Sequence, residues 1–309
     1  MKVRYSYLSQ QFSNCEGLWR NLKNFVKTGD FTLGKELTKF EKKFAKLIGT
    51  KYAVGVNSGT DAIKLSLKVI GIKPGDEVIT AANTFVATVG AICELGAKPI
   101  FVDCDDSFCL DVNLVEKKIN KKTKAIVPVH FTGYMTNMIK LNKIAKKYKI
   151  PIVEDACQSI LASINKKNSG TWSNFGAFSL HPLKNINVWS DGGIIVTSNK
   201  KHYEHLKLLR NHGLVDRDNV KLSGYNSRLD TLQAVVGNWL IPSAKKIANQ
   251  RIENANFYDK GLDQIKEISI PPRLKNYKIV YHLYIVFAKN RDQLLKYCLK
   301  KGIEAKIHY

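Results

Sequence analysis

The strongest constraint on the fold is an alternation of short apolar runs and amphipathic helical segments between residues 50 and 155. The apolar runs are bounded by turn residues, which is the pattern of strands. Strands that alternate with helices are joined by right-handed crossovers and build a largely parallel sheet. We therefore predict an α/β fold with a mostly parallel mixed sheet flanked by helices. A ligand is expected beyond the carboxyl ends of its strands.

The second feature is a loop that carries a single lysine between two apolar runs. Residues 176–185 lead from apolar side chains through Ser, His and Pro to Lys184, and the Gly-rich turn 191–193 precedes the apolar run 194–197. This pattern indicates a strand, an irregular loop and a returning strand. About thirty residues upstream, another predicted strand ends at the acid Asp155. A lysine and an acid at strand ends suit pyridoxal 5'-phosphate (PLP), because the lysine binds the cofactor covalently and the acid keeps its pyridine nitrogen protonated.

A third feature is the turn that follows the strand at residues 52–56. The turn contains Ser58, Gly59 and Thr60 and opens a helix, an arrangement that directs free backbone N–H groups at a phosphate. The same residue types are also good helix caps, so phosphate binding and simple capping both remain open at this point. The candidates at or just after strand ends are Ser58, Phe85, His130, Asp155 and Lys184.

The formal net charge of +23 is the unusual number in the composition. It raises the possibility of a nucleic-acid-binding or regulatory protein. The lysines are spread over predicted helix faces and turns, without interleaved aromatic residues or a nucleic-acid motif, which favours solvated surfaces and no specific nucleic acid. The excess charge still favours an anionic substrate through long-range attraction.

No apolar run approaches the length of a membrane span, and the first residues lack the apolar segment of a secretory signal. We therefore expect no membrane association and a cytoplasmic location. The six cysteines have no Cys-x-x-Cys or zinc spacing, so no metal site is expected.

The chain divides into two predicted parts. Residues 1–243 form the large domain, and residues 244–309 form the start of a smaller α/β domain, with a strand over 281–288, a helix over 291–300 and the segment 303–307.

A series of ordered motifs resembles the DegT family of sugar-nucleotide aminotransferases. The motifs are residues 57–62, 75–78, 83–88, 154–158, 178–185, 191–193, 210–213 and 226–230. The resemblance runs from about residue 28 to the end and implies the PLP-dependent transferase fold type I, with 1–243 as the PLP-binding domain. It also implies a homodimer in which the two subunits share each site. Members of that family usually continue for some tens of residues, so the resemblance implies that the smaller domain is incomplete, with an unpaired sheet edge, and that the 309 residues are a fragment of a longer reading frame. An abbreviated small domain is the alternative.

The resemblance assigns residues to the cofactor one by one. They are Ser58, Gly59, Thr60, Phe85, Asp155, Gln158, Ser179, Lys184 and Asn226. By this comparison Lys184 binds PLP covalently and Asp155 contacts the pyridine nitrogen. Gln158 lies near the PLP hydroxyl, and Phe85 stacks on the ring.

The remaining members of that set are expected around the phosphate. Gly59, Thr60 and Ser179 match phosphate ligands, and Asn226 matches a residue that reaches the PLP phosphate of the neighbouring subunit. His130 and His181 are candidate substrate contacts, although each also suits a purely structural role.

The resemblance implies that glutamate donates its amino group, leaves as 2-oxoglutarate, and that a nucleotide-linked ketosugar accepts the group in amino-sugar biosynthesis. Surface polysaccharide, lipopolysaccharide or a secondary metabolite is the expected destination. One alternative is a PLP-dependent sugar dehydratase, but that branch has His at the position of Lys184. A regulatory or nucleic-acid-binding relative is the other alternative.

Overall fold

The computed structural model describes residues 2–309. Its α-helices are α1 (Leu8–Gln11), α2 (Glu16–Val26), α3 (Lys35–Ile48), α4 (Gly59–Val69), α5 (Val86–Cys93), α6 (Val112–Val115), α7 (Met138–Tyr148), α8 (Lys200–Leu209), α9 (Thr231–Leu240), α10 (Ala244–Leu262) and α11 (Arg291–Lys300). Its strands are β1 (Tyr52–Val56), β2 (Glu77–Ala81), β3 (Lys98–Val102), β4 (Thr123–Val127), β5 (Val153–Asp155), β6 (Ser163–Ile164), β7 (Lys167–Asn168), β8 (Phe175–Ser179), β9 (Gly193–Thr197), β10 (Ile268–Ser269), β11 (Tyr277–Lys278) and β12 (Phe287–Ala288).

The main sheet has the strand order β1-β9-β8-β5-β4-β2-β3. Hydrogen-bonded ladders define β1-β9-β8-β5 and β3-β2-β4, and parallel bridges from Ile126 to Ile152 and from Val129 to Asp155 connect the two sets. The β9 strand is antiparallel to β1 and β8, whereas the other neighbouring pairs are parallel. The predicted α/β fold with a mostly parallel sheet is therefore confirmed.

The helices cover this sheet with apolar stripes. In α3, for example, Leu37, Phe40, Phe44 and Ile48 recur every three or four residues and are all buried. Burial of each such side chain contributes about 1.5–3 kcal/mol relative to exposure. The helix ends at Gly49, whose φ of 91° lies in the left-handed region that favours glycine. Among the helices of residues 2–309, none combines the length and apolar character needed to cross a bilayer.

The predicted strand over 281–288 is wrong except at its end. Only Phe287–Ala288 forms a strand, which pairs with Ile268–Ser269. The segment before it is bound to a loop instead, since the Val280 N–H donates to the Gly133 carbonyl at 3.2 Å. The Tyr281 carbonyl accepts a hydrogen bond from Arg251 Nη1 at 2.9 Å. These contacts take up backbone groups that a strand ladder would need.

The segment 303–307, predicted to belong to the same smaller unit, contains no strand in the described secondary structure. Ile303 forms one parallel bridge with Val3, and the Glu304 N–H donates to the Val3 carbonyl at 2.9 Å. The division at residue 243 stays a prediction. Hydrogen bonds cross this division, since Tyr277–Lys278 on one side pairs as an antiparallel strand with Ser163–Ile164 on the other.

A buried ion pair fixes the end of β1, close to the turn at Ser58. Arg210 Nη1 contacts Glu41 Oε1, and both side chains are buried. Glu41 accepts the Gly55 N–H at 2.7 Å, and Arg210 donates to the Gly55 carbonyl at 2.8 Å. The pair therefore links α3, the residue after α8 and β1 through hydrogen bonds that satisfy both charges.

We expect Arg210→Met to lower the free energy of unfolding by about 3–5 kcal/mol, because it leaves the buried Glu41 carboxylate without its counter-ion. Chemical denaturation of the purified protein measures this change. The double variant Glu41→Leu/Arg210→Met removes both charges and is expected to lose less than the single variant. A single-variant loss below about 1 kcal/mol, the range of an exposed pair, would contradict the assignment.

Candidate active site

A cavity of about 340 Å³ opens at the carboxyl ends of the central strands. Asp155 is the last residue of β5, Ser179 is the last of β8, and Ser58 follows β1. The predicted site residues that line the cavity are Ser58, Gly59, Thr60, Phe85, Asp155, Gln158, Ser179, His181 and Lys184. The fold therefore collects residues spread over about 125 positions of the sequence around one volume.

Lys184 lies in the loop between β8 and β9. Its backbone N–H donates to the His181 carbonyl at 2.8 Å, and the base of the loop is closed by a bond from the Val188 N–H to the Leu180 carbonyl at 3.1 Å. Burial lowers the pKa of Lys184, while Cys157 and Asp155 oppose the shift. Lys184 forms no salt bridge with any residue in the range 2–309. Its amine is thus available for chemistry instead of being held by a carboxylate.

We expect the rate of covalent PLP attachment to rise with pH and to level off below the ordinary lysine pKa of 10.5. Only the unprotonated amine can attack an aldehyde, and a lowered pKa makes that form available at lower pH. Stopped-flow absorbance of the apoprotein mixed with PLP measures the rate, with Lys184→Ala as the blank. A rate that still climbs above that pH would contradict the lowered pKa.

Asp155 is the acid of the cavity and is only 6% exposed. Its Oδ1 accepts the Cys157 N–H at 3.1 Å, and its Oδ2 accepts the Thr88 hydroxyl at 2.7 Å. Each oxygen retains acceptor capacity for a ligand N–H. Asp155 can therefore hold a cationic ring nitrogen.

The turn before α4 leaves backbone N–H groups that could bind a phosphate. Ser58 caps the helix by accepting the Asp61 N–H at 3.0 Å, which leaves the first-turn N–H groups of Gly59 and Thr60 without acceptors inside the helix. A Cβ at Gly59 would approach Ser179 Cβ to 2.8 Å, so only glycine fits so close to β8. The Ser179 hydroxyl accepts the His181 N–H at 3.3 Å and keeps its own proton for a ligand.

Gln158 and Phe85 complete the lining on the cofactor side. Gln158 Oε1 accepts the Thr132 N–H at 2.7 Å. The NH₂ group of the same side chain is not used in this bond and can donate to a ligand. Phe85 precedes α5 and is 52% exposed, so one face of an aromatic ring is available to a planar ligand. The two side chains come from different crossovers, and the sheet brings them to the same cavity.

His130 does not line this cavity, and the predicted substrate contact is wrong. The side chain is fully buried, with Nε2 at 3.0 Å from Glu154 Oε2. His130 Nδ1 accepts the Thr136 N–H at 3.3 Å, so the ring proton is on Nε2 and is donated to Glu154. His130 stabilises the end of β5, which carries Asp155, since its own N–H donates to the Asp155 carbonyl at 3.0 Å.

Asn226 lies outside the cavity as well. It is exposed and lines a separate pocket of about 230 Å³ together with Asn57 and Arg228. Within one subunit the fold therefore keeps Asn226 apart from Lys184. Its predicted role requires a second subunit and stays a prediction.

Several cavity residues were missed from the sequence, namely Tyr5, Thr88, Cys157, Arg251, His282, His308 and Tyr309. Arg251 Nη1 donates to the carbonyls of Tyr281 and His282 at 2.9 and 3.1 Å, while its buried Nε has no partner among residues 2–309. Burial, together with Lys184, Arg251 and two histidines, lowers the pKa of His282 well below its usual value. The Arg251 guanidinium makes this part of the cavity cationic.

The groups that line the cavity fit PLP. The cavity offers an amine, a buried carboxylate, an exposed aromatic face and a helix N-terminus whose glycine admits no side chain. Those are the groups required by an aldehyde, a pyridine nitrogen, a flat ring and a phosphate. The fold and the site together define a PLP-dependent transferase of fold type I.

The chain belongs to the DegT/DnrJ/EryC1/StrS aminotransferase family, whose model matches residues 16–309. It is 38% identical over 283 residues to "dTDP-3-amino-3,4,6-trideoxy-alpha-D-glucose transaminase" of Streptomyces venezuelae, covering 91% of this chain and 75% of the relative. It is 36% identical over 280 residues to "UDP-N-acetyl-3-dehydro-alpha-D-glucosamine 3-aminotranferase" of Acidithiobacillus ferrooxidans, covering 90% and 76%. A "Pleiotropic regulatory protein" of Geobacillus stearothermophilus is 35% identical over 313 residues, covering 100% and 84%.

Solved structures agree with this assignment. DesV of S. venezuelae superposes with a TM-score of 0.97 at 34% identity, covering 100% of this chain and 84% of that one. NtdA of Bacillus subtilis, solved with bound cofactor PMP, gives a TM-score of 0.89 at 31% identity, covering 100% and 72%. The predicted PLP-dependent sugar-nucleotide aminotransferase is confirmed, and nothing in these comparisons favours the sugar dehydratase.

Proposed function

We propose that this protein transfers an amino group from glutamate to the 3-keto group of a sugar carried by a nucleoside diphosphate. The observation that carries the proposal is the meeting of Lys184 and Asp155 in one cavity beside the turn before α4. Bound PLP supplies an electron sink that stores the amino group between the two half-reactions. The 3-position is supported by the names of the two transaminase relatives, which both specify it.

Different residues of this chain would transfer the proton, pair with the cofactor nitrogen and orient the ring. Lys184, with its lowered pKa, would be the base that removes a proton from one carbon and returns it to another. Asp155, held by its two hydrogen bonds, would pair with the protonated ring nitrogen. Gln158 and Phe85 would hold the ring in one orientation.

The cationic part of the cavity supports an anionic substrate. Arg251 has no acidic partner within 4.0 Å among residues 2–309, and its Nε has no hydrogen bond there. A half-buried guanidinium without a counter-ion is stabilised by a diphosphate or a carboxylate. Both proposed substrates carry such a group, and the ping-pong reaction admits them one after the other.

The proposal includes a homodimer in which Asn226 of one subunit reaches the phosphate in the other. Asn226 is exposed and does not line the cavity of its own subunit, which supports this arrangement. A cytoplasmic location and biosynthesis of an amino sugar for a polysaccharide, lipopolysaccharide or secondary metabolite complete the proposal. The domain division at residue 243 is proposed with it.

The test supplies the enzyme with glutamate and a 3-keto nucleotide sugar and follows 2-oxoglutarate and the amino sugar. We expect equal amounts of both products, and much less product when the nucleotide is removed from the sugar. Release of ammonia without consumption of glutamate would support a dehydratase instead.

We expect Arg251→Met to raise KM for the nucleotide sugar about tenfold or more, because it removes a charge-assisted hydrogen bond worth about 1.5–3 kcal/mol. Steady-state kinetics at saturating glutamate measures the change. Lys246→Met removes an exposed charge from the same helix and serves as the control. If the two variants raised KM equally, Arg251 would contribute only general electrostatic attraction and would not bind the substrate directly.

A further inference from the structure

Two threonines next to Asp155 have no role in the proposal so far. Thr88 lies in the first turn of α5, is 1% exposed and lines the cavity. Its Oγ1 lies 2.7 Å from Asp155 Oδ2 and 2.7 Å from Thr84 Oγ1. Asp155 is thus contacted by a hydroxyl that is itself contacted by a second hydroxyl.

The direction of these bonds follows from the chemistry of the groups. An ionised carboxylate only accepts, so Thr88 donates its single proton to Asp155. The Thr88 oxygen is then an acceptor for the Thr84 hydroxyl at 2.7 Å, which is shorter than the 3.3 Å from that hydroxyl to its other acceptor, the Phe85 carbonyl. Hydrogen bonds that run in one direction polarise each other, and a charged acceptor at the end strengthens the chain.

The two oxygens of Asp155 are held from different elements. The Cys157 N–H on Oδ1 belongs to the loop after β5, whereas Thr88 on Oδ2 belongs to α5. With the Cys157 N–H bond alone, the Asp155 carboxyl group could still rotate about that single contact. Adding Thr88 fixes the plane, and with it the direction in which the remaining lone pairs face the cavity.

We infer that Thr88, supported by Thr84, is a positioning residue that orients the Asp155 carboxylate toward the ring nitrogen of PLP. The inference rests on the proposed role of Asp155 and deepens it. The start of α5 then contributes two residues to the cofactor site: Phe85, which immediately precedes the helix, and Thr88, three residues later in its first turn. Thr88 acts through Asp155, without contact to the reacting atoms.

The test compares Thr88→Val, Thr88→Ser and Thr80→Val. Valine keeps the shape of threonine but lacks the hydroxyl, and serine restores the hydroxyl. Thr80 is fully buried in β2 and donates to the Val127 carbonyl at 2.9 Å, so its substitution removes a buried hydroxyl from outside the cavity. The readouts are the Kd for PLP, from fluorescence titration of the apoprotein, and the pH at which the visible band of the bound cofactor changes.

We expect Thr88→Val to raise the Kd about tenfold or more, the effect of losing a hydrogen bond to a charged group, and to shift the pH of the spectral change. The Kd of Thr88→Ser is expected within about threefold of the parent value, and the Kd of Thr80→Val should equal the parent value. If Thr88→Val instead matches the parent and Thr80→Val in both readouts, Thr88 does not position Asp155, and the inference is overturned. Failure of the parent itself to bind PLP would overturn the proposed function, and this inference with it.

Discussion

Lys184→Ala is expected to lower turnover by about 10⁴-fold or more, because it removes both the covalent attachment and the base for proton transfer. The variant should still fold, since Lys184 makes no salt bridge with a described residue and its loop is closed by backbone bonds. Rates of 2-oxoglutarate formation from glutamate measure the loss. Thermal unfolding of the apoproteins checks that the fold is intact.

The matched control is Lys43→Ala. Lys43 is a half-buried lysine whose pKa is also lowered, by burial and by Lys39, but it lies away from the cavity and contacts the Asn238 carbonyl at 3.4 Å. We expect its removal to change turnover less than about threefold, the size of a surface effect. If the two alanine variants lost activity equally, the loss would reflect stability, and the assignment of Lys184 would be wrong.

Asp155→Asn is expected to slow the glutamate half-reaction by a factor of about 150 to 5,000. Asparagine has nearly the same shape, but it is neutral and cannot balance a protonated ring nitrogen. Removing one partner of a buried ion pair costs about 3–5 kcal/mol, which corresponds to that factor. Rapid mixing of the PLP-loaded variant with glutamate and measurement of the spectral change give the rate.

Asp76→Asn provides the comparison for Asp155→Asn. Asp76 is also buried, and its Oδ2 accepts the Lys73 N–H at 3.0 Å in a turn away from the cavity. We expect this variant to lose some stability but to keep the half-reaction rate. A normal rate in Asp155→Asn would exclude a charge-balancing role for the carboxylate.

The residues that were predicted correctly lie where the local pattern is decisive. The helix over 291–300 and the strand that ends at Asp155 both have the ends predicted from the sequence. Because the carboxyl ends of parallel strands meet at one edge, the sequence alone predicts that Asp155, Lys184 and the turn at Ser58 lie close together.

The residues that were missed depend on contacts between distant segments. Arg251 is one of 49 Lys and Arg residues, and nothing in its helix distinguishes it from a solvated charge. The segment from Tyr281 has the aromatic and β-branched residues of a strand, but Arg251 and the loop at Gly133 bind its backbone. His130 lies just past the end of β4 as expected, yet its side chain is buried against Glu154, 24 positions away in the sequence.

Borohydride reduction of the PLP-loaded enzyme, followed by peptide mapping, tests the central claim most directly. Reduction makes the bond between the cofactor and an amine permanent, so the labelled lysine can be read from the peptide masses. The structure predicts the label on Lys184 alone, in an amount that falls when glutamate is added first. A label on any other lysine, or spread over many, would contradict the account.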